Sequence, residues 1–261
     1  MTPALLTIVA CGLVVASLVV LRMRQRHMFI WLPAYLKGDW AGREQRGARA
    51  RRQPVHVLLC VADHFEPRWV DPGLDVERQR VARWVEEYPA FADRFTDADG
   101  RPPRHTFFYP AEEYRSEHLE KLAELTGDGY GEVEVHLHHE NDTAEGLREK
   151  LDTFVGQLRE HGLLGSWSTT GDPCFGFVHG NWALDNSHPE GRFCGVNNEL
   201  QVLCRSGCYA DFTLPSAPSP TQTRRINSLY YAVDDPARAK SHDTGVEVEV
   251  GRSGGGDLMM I

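Results

Sequence analysis

Polar and apolar residues alternate from Glu132 to Leu137. The alternation predicts a strand with Val133, Val135 and Leu137 on one face and Glu134 and His136 on the other. His138 extends the second face, and His139 completes three histidines in four positions. A nearly continuous apolar run, Val55–Ala62, reads as a strand buried on both faces, as in parallel sheets. His105–Tyr109, Cys174–Gly180 and Cys208–Thr213 are further strand candidates, followed by Gly245–Gly251 and Asp257–Ile261.

Helical spacing recurs between these runs. Asp75–Phe95 carries Val76, Val81, Trp84, Val85 and Tyr88, with Pro89 expected to end or kink the helix. Glu112–Gly127 closes on glycine. A third helix, capped by Asp142 or Thr143, runs to about His161 with Leu147, Leu151, Phe154, Val155 and Leu158 on one side. Asn197–Gly207 is a shorter helix, and Pro215–Arg225 reads as a loop. Such alternation of strand and helix favours an α/β fold with a parallel sheet and helical crossovers, open or closed into a barrel. The chain stops within an apolar strand-like run, as expected of a truncated barrel or of a last strand that closes the sheet.

The N-terminus follows another pattern. Pro3–Leu21 holds no charged residue, and a bilayer core takes about 20 such residues as one helix. Arg22, Arg24 and Arg26 come directly after it, and no Lys or Arg precedes it. A cleaved signal peptide has the reverse order, so the run is read as one uncleaved transmembrane helix with the body in the cytoplasm. Phe29, Trp31, Tyr35 and Trp40, mixed with Arg and Lys, suit a stretch lying among lipid headgroups. The expected organisation is an anchor at 1–27, a basic, aromatic linker at 28–52 and a catalytic-sized body at 53–261.

Charge sharpens this division. The 261 residues sum to a net −9, but residues 1–52 hold nine basic and two acidic side chains, which leaves −16 on the body. So acidic a body argues against nucleic acid as a partner. The six cysteines form no C-x-x-C, and they are read as reduced thiols with Cys60 in the core.

Candidate chemistry gathers where α/β folds usually place it, at the carboxyl ends of strands. Asp63-His64-Phe65-Glu66 follows the first strand, His136 to His139 ends the third, and His179-Gly180-Asn181-Trp182 ends the fourth. His136 and His138, about 7 Å apart along one strand face, can both reach one ion, with an acid or imidazole from the first strand completing the set. His105, His118, His161 and His188 are assigned to structural hydrogen bonding.

The segments "VADHFEP", "EVEVHLHH", "FGFVHGNWALDN" and "GVNNELQVLCRSGCYADFT" together resemble the polysaccharide deacetylase (NodB-like, carbohydrate esterase family four) superfamily over roughly Val55–Thr213. The resemblance implies a distorted (β/α)7-type barrel with one divalent metal ion, zinc being the expected one. Asp63 then stands as general base. His64, or else Glu66, takes the place of the family's ligating Asp. His136 pairs with His138 or His139, because Glu140 stands where the family's second His is expected. His179, Asn181 and Trp182 replace the usual third motif as substrate-binding residues, with Trp182 able to stack on a sugar ring. His242 is the candidate for the late catalytic His. The implied activity is metal-dependent removal of acetyl or acyl groups from a glycan or lipid-linked sugar. The alternatives are a carbohydrate-binding or scaffolding protein on an inactive barrel, or a glycosidase of the same superfamily.

Overall fold

A computed structural model describes residues 2–38, 57–252 and 254–261. The uncharged N-terminal run becomes helix α1 (Pro3–Gln25), with a mean hydropathy of 2.8 in its most apolar window and no residue buried against the body. It is long and apolar enough to span a membrane, and a signal sequence shares those properties. A short helical stretch, α2, covers residues 32–38. Most of the expected basic linker, from 39 onwards and including Trp40, lies outside the described residues.

The body alternates as the pattern predicts. Strands β1 (Val61–His64), β2 (His105–Pro110) and β3 (Gly131–Leu137) are separated by helices α3 (Leu74–Ala92) and α4 (Ser116–Gly127). Helix α5 (Ala144–Glu160), a short β4 (Gly165–Ser166) and β5 (Pro173–His179) follow. Then come α6 (Glu199–Arg205), β6 (Cys208–Asp211), β7 (Tyr230–Ala232), β8 (Gly245–Glu247) and β9 (Leu258–Met260). The order across the sheet is β1-β2-β3-β5-β6-β9-β7-β8, with β4 paired to β5. The run from β1 to β9 is parallel, and β7 joins antiparallel to both β9 and β8. The result is a mixed α/β fold with one sheet. Among the described residues β1 and β8 are its edges and the sheet does not close.

Local chemistry explains the helix boundaries. The Thr143 side chain accepts a hydrogen bond from the Gly146 N–H at 3.0 Å and caps α5, so the cap is Thr143 rather than Asp142. Pro89 sits within α3, which continues to Ala92. Leu147, Leu151, Phe154 and Leu158 of α5 and Leu119, Leu122 and Leu125 of α4 are buried, with His118 the buried polar side chain of α4. The apolar ones close over Val133, Val135 and Leu137, the strand face expected to lie beneath helices. Each such side chain contributes about 1.5–3 kcal/mol on full burial.

Three expectations change. Of the expected strand Val55–Ala62, residues 55 and 56 lie outside the described residues, and the rest is not a strand buried on both faces. The strand is Val61–His64 at the sheet edge, and Val57, Leu58 and Leu59 are 86%, 95% and 86% exposed. Apolar content reports affinity for a core, not whether neighbouring strands stand on both sides. Cys60 is accordingly exposed rather than in the core, and all six thiols are free. The Leu229–Val233 run supplies β7, which turns the end of the sheet antiparallel. Only Gly245–Glu247 of the expected Gly245–Gly251 strand pairs with it.

Two histidine clusters on two faces of the sheet

Register divides the site residues. Aligned residues of neighbouring strands share a face, and His64 aligns with Phe108, Phe108 with Glu134, and His136 with Val178. On the other face Asp63 aligns with Phe107, and Leu137 with His179. This second face is the one covered by helices.

On the first face His64, Glu66 and His136 bring one ligand atom each within 4.8 Å of one another. Glu66 Oε1 lies 3.5 Å from His64 Nδ1 and 3.4 Å from His136 Nε2. His136 is fully buried, and neither of its ring nitrogens has a hydrogen-bond partner. A buried orphan of this kind calls for a missing partner. Burial holds His136 neutral, its pKa lowered, the loss outweighing the pull of Glu66. Burial alone would raise the Glu66 carboxyl, but the adjacent His136 and His64 imidazoles outweigh it and bring it to about 2. A neutral His136 beside an ionised Glu66 is the protonation state that metal binding requires. These three residues therefore fit a divalent ion.

His138 stacks edge-on to His136, with ring centroids 4.6 Å apart. Its Nδ1 pairs closely with Glu112 Oε1, and its Nε2 stands 3.9 Å from Glu66 Oε1. Gly180 is required at its place, because any Cβ there would overlap the His138 ring. Above the cluster opens a cleft of about 810 Å³ lined by His64, Glu66, His138, Asn181, Trp182 and Trp69, among others. Trp182 is 47% exposed and holds a positive φ of 56°, an uncommon backbone for a bulky residue. Further in, Glu134 accepts from Gly176 N at 2.5 Å and Tyr209 Oη at 2.9 Å, and burial pushes its carboxyl up to about 8.

On the covered face a second cluster joins His139, His179, Cys194 and Glu199, all buried, with ligand atoms again within 4.8 Å. This cluster can hold a metal ion. Glu199 Oε1 is 3.0 Å from His139 Nε2 and 3.9 Å from His179 Nε2, and Cys194 Sγ donates to Glu199 Oε2 at 3.2 Å.

The expected site residues therefore separate. His64, His136 and His138 converge with Glu66, while His139 leaves them for the buried cluster. Asn181 and Trp182 line the cleft, but their neighbour His179 points away from it. Asp63 is not among the imidazoles of the cleft. Strand alternation sends it to the opposite face from His64, where its Oδ1 pairs with His105 Nε2 at 3.0 Å. His242 is fully buried beside Asp185, its N–H donating to Asp185 Oδ2 at 3.0 Å, and it does not line the cleft. His118 and His161 do serve structural contacts, each facing a tyrosine hydroxyl, and His188 accepts from Glu190 N–H at 3.2 Å while also lining the cleft. Sequence reasoning missed Glu112, Cys194 and Glu199. Glu112 is 26 residues from His138, and Cys194 and Glu199, five residues apart, are more than 50 residues from His139, so no familiar spacing signals them. No family model, no curated protein and no solved structure matches the chain.

Proposed function

We propose that the chain is a membrane-anchored, metal-dependent hydrolase that removes acyl groups from an N-acylated sugar at the cleft. The observation that carries this reading is the convergence of His64, Glu66 and the orphaned His136 at the floor of a cleft with exposed tryptophans. A divalent ion held by these three, zinc in our reading, would supply a polarised carbonyl and a water of lowered pKa. His138 does the proton work. Glu112 fixes its Nδ1, which leaves Nε2 to take a proton and return it to the leaving amine. This places on the His138–Glu112 pair the role first expected of Asp63 and His242. Trp182 and Trp69 offer ring faces to a sugar, and Asn181 offers an amide to its hydroxyls.

The parallel order β1-β2-β3-β5-β6-β9 is read as an open form of the distorted (β/α)7 barrel that the resemblance implies. Arg22 and Arg24 in the last turn of α1, with Arg26 at its C-cap, favour a cytoplasmic body. A lipid-linked sugar then fits best as substrate. A second cavity, of about 560 Å³, is lined by Trp31 and Tyr35 near the membrane helix and by the 214–230 segment of the body, and it shares Pro215 and Ala217 with the cleft.

The test is acetate release from an N-acetylated oligosaccharide by the full chain in detergent. Release that falls at least about 100-fold in His136→Ala supports the reading. New reducing ends would make the protein a glycosidase instead. Sugar binding with neither product would leave it a carbohydrate-binding protein.

A further inference from the structure

The cluster beneath the helices differs chemically from the one in the cleft. Its donors are two imidazoles, a thiol and a carboxylate, drawn from the end of β3, the end of β5, the loop before α6 and α6 itself. None of the four lines the cleft. We propose that His139, His179, Cys194 and Glu199 form a closed, four-ligand site for a zinc-type divalent ion, structural in role and independent of the cleft.

Four observations support it. His179 is fully buried, and its Nε2, aimed at the cluster, has no hydrogen-bond partner. An unpartnered imidazole nitrogen in such a place is costly unless something occupies the space before it. Second, the donor set is a full tetrahedral complement of the borderline-soft kind that zinc takes, with no open position for substrate. Third, charge balances. A thiolate and a carboxylate offset a divalent cation, so no net charge is buried.

Fourth, outer groups stand beside the ligands. His139 Nδ1, which has no hydrogen-bond partner, stands 3.2 Å from Asp142 Oδ2, and Lys150 Nζ holds that same oxygen at 2.5 Å. Asp185 N–H donates to Glu199 Oε2 at 2.5 Å. A carboxylate behind a ligating imidazole is the usual outer arrangement at zinc. On binding, Cys194 loses its thiol proton and His139 the proton it shares with Glu199, both to solvent. His179 moves its ring proton to Nδ1 and gives up the long 3.3 Å bond from Asn181 N–H.

The presence of sulfur makes the site separable from the cleft. The full chain, purified in detergent, is loaded with cobalt(II), and its metal content and near-ultraviolet absorption are measured. The expected result is two ions per chain with a thiolate-to-cobalt charge-transfer band. His64→Ala and His136→Ala should each keep the band and fall to one ion. Cys194→Ser should lose the band. Because Cys194→Ser can fail to fold, His64→Ala decides by itself: one cobalt with the band supports the proposal. A wild-type chain with no charge-transfer band overturns it, as does a band that disappears with His64. Neither result bears on acetate release, so failure here leaves the cleft reading standing.

Discussion

The two clusters begin from the same four residues of sequence and end in different solvents. His138 lines an open cleft with His64, their side chains 29% and 32% exposed, and His136 is buried against them. His139, one residue further, is sealed under helices with His179, Cys194 and Glu199. Three of the cleft groups surround a cavity large enough for a sugar, whereas the buried four surround only one another. Density of imidazole marks a candidate metal site in both, and in our proposal access to solvent separates the catalytic site from the structural one.

Paired substitutions break this comparison most sharply. Glu199→Ala removes the centre of the buried cluster and leaves groups around it unmatched, a loss of about 3–5 kcal/mol. Thermal unfolding should shift down by roughly 10 °C or more. Glu66→Gln should leave the melting temperature within a few degrees, yet lower acyl release at least about 100-fold. If both substitutions changed stability alike and neither changed turnover, the division between the faces would be lost. Next in size is Glu112→Gln. It keeps the ring of His138 in place but weakens its orientation, so kcat should fall by about 10- to 100-fold with KM little changed.

Much of this plan was legible beforehand, and the limits are physical. Val133, Val135 and Leu137 lie beneath helices as their alternation requires, and Glu134 and His136 oppose them. That rule ends with the strand at Leu137, so it could not say where His139 turns. It could have placed Asp63. Had the first strand been extended to His64, the same alternation would have set Asp63 and His64 on opposite faces. Cys194 and Glu199 meet His139 only through packing of α6, which leaves no local trace. Leu229–Val233 was a readable run of strand-forming residues, but too short to separate from its loop by pattern alone.

A pH effect concerns the covered end of β6. Asp211 is fully buried, and burial pushes its carboxyl up to about 8 although Thr213 donates to it from N–H and hydroxyl. The folded chain therefore holds a proton there that the unfolded chain releases near its ordinary value of 3.8. Stability should decline as pH rises from about 4 to about 8, by at most about 1.4 kcal/mol per unit from this group, and level off above. Urea unfolding across that range checks it, and Asp211→Asn should flatten the slope. Smallest is Trp182→Ala. Loss of one stacking face should raise KM from a few-fold to about 10-fold with kcat nearly unchanged, and an unchanged KM would remove Trp182 from the sugar site.

The cleft reading stands or falls most directly on where metal sits. Crystals of the zinc-loaded chain, measured at the zinc absorption edge, should give an anomalous peak about 2.0–2.2 Å from His64, Glu66 and His136. A map with no peak among those three residues, whatever it shows beside Cys194, would contradict the account.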